Sequence, residues 1–169
     1  MQETFRHCYS INNINFGNSS TTSLQILNET FRANYNLLSV DLSSFDFTQV
    51  TDIRCSFYEC YNLKTVNFGN SPTSSLEYIF QLFFQCYSLK SVDLSNFITT
   101  DVKDMGFLFF ECKSLESAVL SSFDTTNVEN MGFMFFSCNS LKSLDISNFV
   151  TTNVANFESM FWVALVLGI

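Results

Sequence analysis

Phenylalanine recurs every 26 residues along the whole chain, at Phe5, Phe31, Phe57, Phe83, Phe109, Phe135 and Phe161. Cysteine follows three residues later at Cys8, Cys60, Cys86, Cys112 and Cys138, with Asn34 and Ala164 the two exceptions. Two residue types holding one period in one phase define a repeat protein. Such a unit cannot bury its apolar face alone, so each copy must stack on its neighbours. Six copies fit between Tyr9 and Ala164, after a partial copy at the start. The whole chain, 1–169, therefore reads as a single repeat domain.

Two periods alternate inside a copy. Val92 and Leu94 stand two apart among Ser91, Asp93 and Ser95, the pattern of a short strand with one buried face. Val102, Met105, Phe109 and Cys112 are spaced three, four and three, which predicts a short helical stripe. Thr126 with Glu129 fits a capping box for the next such stripe, and Asp101, Asn127 and Asn153 are alternative N-caps. The expected fold is α/β, with a parallel sheet on one side and short helical turns on the other. Two copies depart after the strand, reading Phe16-Gly17-Asn18-Ser19 and Phe68-Gly69-Asn70-Ser71-Pro72, which predicts a different turn there.

Composition narrows the function. Apolar residues make up 47% and charged residues only 14%, as expected when every coil needs its own filler. The net charge of -8 argues against nucleic acid and against electrostatic docking on anionic lipid. The start lacks the apolar core of a signal peptide. The run Trp162–Ile169 breaks the repeat and is too short for a membrane span; it reads as an off-pattern end or as a cap over the last coil. Neither end shows a polar cap, which leaves self-association through the ends open, and the chain reads as part of a longer surface protein.

The segments Leu89-Lys90-Ser91-Val92-Asp93-Leu94-Ser95-Asn96-Phe97, Thr125-Thr126-Asn127-Val128-Glu129-Asn130-Met131 and Met134-Phe135-Phe136-Ser137-Cys138-Asn139-Ser140-Leu141 resemble one repeat family. They are similar to the BspA-like leucine-rich-repeat surface proteins, in the version with a 26-residue bacterial surface repeat. The resemblance runs from about Phe5 to Phe161. It implies a leucine-rich-repeat solenoid with a concave strand face, a cell-surface or secreted setting, and adhesion to host proteins or cells. One departure is visible. Phe45, Phe97, Phe123 and Phe149 stand where that repeat type usually carries Asn or Cys.

Several columns invite a chemical role. Stacked cysteines would fall within disulfide range, yet the column lies on the inward stripe, where free Cys acts as a small hydrophobe. A line of thiols does not form the tetrahedron that zinc requires, so no metal and no cofactor is expected. Cys55 lies off the column, beside Arg54 and near Cys60, and is a candidate reactive or paired thiol. His7 is the only histidine and has no recognisable triad partners, so an enzyme is not expected. The candidate binding surface is the polar strand face: Asp41, Asn67, Asp93 and Asp145, with Ser39, Ser91, Ser95 and Ser143 beside them. Calcium is disfavoured because alternate Asp rows lie about 10 Å apart. A second surface is the column Arg6, Arg32, Tyr58, Phe84, Phe110, Phe136 and Trp162, flanked by Phe107 and Phe133, either exposed or wedged between helical turns. The expected activity is non-enzymatic recognition of a protein or glycan on host, matrix or neighbouring cells. The alternative is an intracellular repeat scaffold.

Overall fold

The computed structural model describes residues 1–18 and 21–164. Each 26-residue unit contributes one three-residue strand: β1 (Asn13–Asn15), β2 (Ser39–Asp41), β3 (Thr65–Asn67), β4 (Ser91–Asp93) and β5 (Ser117–Val119). The strands are parallel and pair without slippage, so that Val40 faces both Ile14 and Val66, and Val92 faces Ala118. They form two sheets, β1-β2-β3 and β4-β5. β3 and β4 touch but form no ladder. About half a repeat further along, a second set of parallel bridges links Ile26, Asp52 and Tyr78, and another links Asp104, Asn130 and Asn156.

The core is a set of columns. Phe31, Phe57, Phe83, Phe109 and Phe135 are at most 1% exposed, and their rings stack face to face with centroids 5.2 to 5.6 Å apart. Such offset pairs add to the gain from burial. The first and last coils have a neighbour on one side only, so Ile11, Ile14, Phe16, Ile146, Phe149 and Phe161 are only partly buried.

The expected helical stripe is a different structure. No described residue lies in an α-helix. From Ile53 to Cys60 the chain is a ribbon of overlapping turns. The N–H groups of Ser56, Tyr58 and Cys60 close turns onto Ile53, Cys55 and Phe57, while those of Cys55, Phe57 and Glu59 donate to Phe80, Leu82 and Phe84 of the next coil. Stacking thus supplies acceptors that a helix would find four residues back. The alternation also places two residues per coil in the left-handed region, such as Cys55 with Glu59 and Phe107 with Glu111. Asn127 and Asn153 do not cap helices; their amides donate to Thr100 and Thr126 of the preceding coil. The Thr126–Glu129 box is likewise absent, because Glu129 N–H bonds Lys103 and its carboxylate faces the Lys103 ammonium.

The altered turns are real. Gly17 and Gly69 both have positive φ. At Gly69 a Cβ would stand 2.7 Å from the Ser43 backbone, so the third coil closes against the second at that point. In the run Trp162–Ile169, residues 165–169 lie outside those described, as does Ser19.

Candidate functional site

The strand face brings most of the expected residues into rows. Ser39 lies between Asn13 and Thr65, and Asp41 between Asn15 and Asn67. Neighbours bond along the rows: Ser39 Oγ donates to Asn13 Oδ1 at 2.7 Å, and Asn67 Nδ2 to Asp41 Oδ1 at 3.1 Å. Asn67, Ser91 and Asp93 are exposed, whereas Ser39 and Asp41 are half-buried. Ser143 and Asp145 are exposed but form no strand, so that row ends at Val119.

Each acid of the face also has a local task. The carboxylate or amide oxygen accepts the N–H two residues on, in the pairs Asp41–Ser43, Asn67–Gly69, Asp93–Ser95 and Asp145–Ser147, at 2.8 to 3.0 Å. These Asx turns redirect the chain after the strand. Bonds from Ser43 hold the Asp41 carboxyl below the usual carboxylate range, and the Ser147 N–H does the same for Asp145.

Two depressions interrupt the face, both where the ladder lapses. One, of about 390 Å³, lies between β3 and β4 and is lined by Asn67, Asp93 and Ser95 together with Ser43, Asn70 and Asn96. The other, of about 290 Å³, lies beside β5 and takes in Ser117, Val119, Ser143 and Asp145. The altered turn at Gly69 is the sequence signal for the first; Asn70 and Asn96 lie in turns, outside the strand rows that the period marks.

The cysteine column is a line of free thiols. Cys60, Cys86, Cys112 and Cys138 each direct Sγ to a phenylalanine carbonyl of the preceding coil at 3.1 to 3.2 Å. Asn34 replaces this with Nδ2 donating to Phe5 O. Burial pushes Cys60 and Cys138 up to about 12. Cys55 is 6% exposed, its thiol meets Gln81 Oε1 at 3.4 Å, and burial raises it to about 11, the opposite of what a reactive thiol needs. A buried threonine column is a further find. Thr73, Thr99 and Thr125 each exchange two bonds with the next coil, Thr99 with Asp124 and Thr125 with Val150 at 2.7 to 2.9 Å.

The aromatic column is neither free nor wedged between helices. Tyr58, Phe84, Phe110 and Phe136 are half-buried and stack on one another at 4.4 to 4.9 Å, with Arg32 over the Tyr58 ring. Trp162 is 61% exposed. His7 bonds Arg6 and the Tyr9 hydroxyl. Among the described residues, none form a cluster suited to a metal ion, and no helix is long and apolar enough to cross a membrane.

These stacked, parallel-paired repeats define a repeat protein. The family model described as "Mycoplasma protein of unknown function, DUF285" matches residues 1–97 and 74–167, and the chain belongs to that family. No curated protein and no solved structure gives a significant match.

Proposed function

We propose that this chain is a non-enzymatic binding module, a leucine-rich-repeat solenoid of the BspA-like kind, within a cell-surface adhesin. Its strand face would take up a protein or a glycan on a host, a matrix or a neighbouring cell. The observation that carries this reading is the polar depression between β3 and β4, set within rows of exposed and half-buried hydroxyls, amides and carboxylates. Hydrogen-bonding groups at a fixed spacing suit a repetitive or extended partner, and weak contacts sum along a rigid array. The family match to repeats of this kind supports the class.

The test is solid-phase binding to matrix proteins and glycans, comparing the chain with an Asp41→Asn, Asp93→Asn, Asp145→Asn variant. Asparagine keeps the oxygen that closes each Asx turn, so the variant folds and only charge is removed. Binding that weakens several-fold supports the strand face. Binding unchanged by the variant, or none at all, removes the proposal's basis. The six free thiols favour a second reading, a scaffold for protein partners in a reducing compartment.

A further inference from the structure

The third and fourth coils meet at the one junction where both sets of strand-like contacts are interrupted among the described residues. β3 does not pair with β4, and Tyr78 does not bridge to Asp104. The opening at the second of these gaps is a cleft of about 470 Å³, away from the strand face. The column that supplies Arg54 and Phe80 continues in the fourth coil as Gly106, where a Cβ would meet Asn130 Nδ2 at 2.7 Å and Asp104 Oδ1 at 3.0 Å. The cleft is lined by Glu77, Tyr78 and Phe80 from the third coil, by Asp101, Lys103 and Asp104 from the fourth, and by Arg54 from the second.

The charges decide what such a cleft accepts. Its two cations are already matched by acids outside it: Arg54 pairs with Asp52 at 3.0 Å, and Lys103 with Glu129 at 3.7 Å. Glu77, Asp101 and Asp104 remain as the cleft's own negative charge. Asp104 is bonded by neutral donors only, the Gly106 N–H and the Asn130 amide. The aromatic wall suits a cation as well. The Arg54 guanidinium, from the coil before, lies 4.8 Å from the Tyr78 ring centre and 5.8 Å from that of Phe80. These rings thus already hold one cation, and attraction of a ring face for cations is general.

We infer that this cleft is a second binding site, independent of the strand face, which receives the basic side chain of a protein partner. The alkyl stem lies on Tyr78 and Phe80, and the ammonium or guanidinium group lies among Glu77, Asp101 and Asp104. The chain's net charge of -8 draws such groups toward it.

The experiment is an amide chemical-shift titration with the blocked tripeptides Gly-Arg-Gly and Gly-Lys-Gly, and blocked Gly-Glu-Gly as the opposite charge. Saturable shifts confined to residues 77–80 and 101–106 are expected with the basic peptides. A Glu77→Gln, Asp101→Asn variant, altered at two exposed side chains, should bind roughly fivefold more weakly, from two partly solvated ion pairs. Its unperturbed amide spectrum elsewhere would certify the fold. Shifts scattered over the acidic surface, equal shifts with Gly-Glu-Gly, affinity unchanged in the variant, or no saturation by tens of millimolar peptide would each overturn the assignment. Loss of strand-face binding in the triple Asn variant leaves this site untouched, so the two proposals fail separately.

Discussion

At the scale of the residue, the same side chain often serves turn and surface at once. Asp41 and Asp145 are held below the ordinary value of 3.8 by bonds from Ser43 and Ser147, and Asp124 by bonds from Thr126. A carboxyl depressed in the folded state adds stability that is fully present above its unfolded pKa and is lost as pH falls through the folded one. Acid unfolding should therefore set in below pH 3.8, and carbon-detected titration should find these carboxyls below that value. Asp52 has the opposite sign. Burial raises it, so its ionised form costs stability above the ordinary carboxylate pKa. Asp52→Asn retains an oxygen for the Arg54 N–H and should raise Tm at pH 7, with the gain shrinking toward pH 3; a lower Tm would show that the Arg54 ion pair dominates. The thiols offer a direct check. Cys8 is the only cysteine that is not buried, so it alone should label rapidly with a thiol reagent in the native protein. Cys112→Ala removes a buried sulfur and its bond to Phe83 O and should cost about 1–2 kcal/mol in denaturant unfolding.

At the scale of the element, the turn ribbon is the main departure from expectation. The three, four, three spacing of Val102, Met105, Phe109 and Cys112 marks one inward stripe whether the backbone is a helix or a ribbon of turns. Periodicity reports which side chains are buried, and here hydrogen bonds to the adjacent coil select the backbone. The cost lies in left-handed residues such as Ser137, with φ of 56°. Ser137→Gly keeps the N–H bond to Trp162 O and should stabilise by up to about 1 kcal/mol, read from urea unfolding. The two altered turns differ in context. Gly17 has open space around it, so Gly17→Ala should cost about 1 kcal/mol from backbone strain alone. Gly69→Ala should cost clearly more, because its Cβ would also meet the Ser43 backbone at 2.7 Å.

At the scale of the molecule, the stack is uneven along its length. The Phe and Cys columns run without interruption past the junction of the third and fourth coils, with Phe83 N–H bonding Leu108 O and Cys112 reaching Phe83 O. The outer contacts lapse there. Lys64 and Glu116 N–H bond the preceding coil, and Leu42 and Leu94 N–H bond the following one, while the equivalent bonds from Lys90 and Phe68 are absent among the described residues. Native-state hydrogen exchange should find Lys90 and Phe68 faster than those four amides. Uniform protection across all six would mean that the junction closes in solution. Both the polar depression and the acidic cleft belong to this one junction.

By itself, the sequence determined the 26-residue unit, the stacking, the strand position and the inward columns, because burial leaves a periodic mark on residue type. It also pointed to Asp41, Asn67, Asp93 and their serines as a polar face. What only the tertiary structure decided was the turn ribbon in place of a helix, the lapse between β3 and β4, and the cleft between Tyr78 and Asp104. Each depends on which neighbouring coil completes a hydrogen bond or fills a space. Such contacts join residues a full repeat apart, where the spacing of residues within one copy carries no record of them.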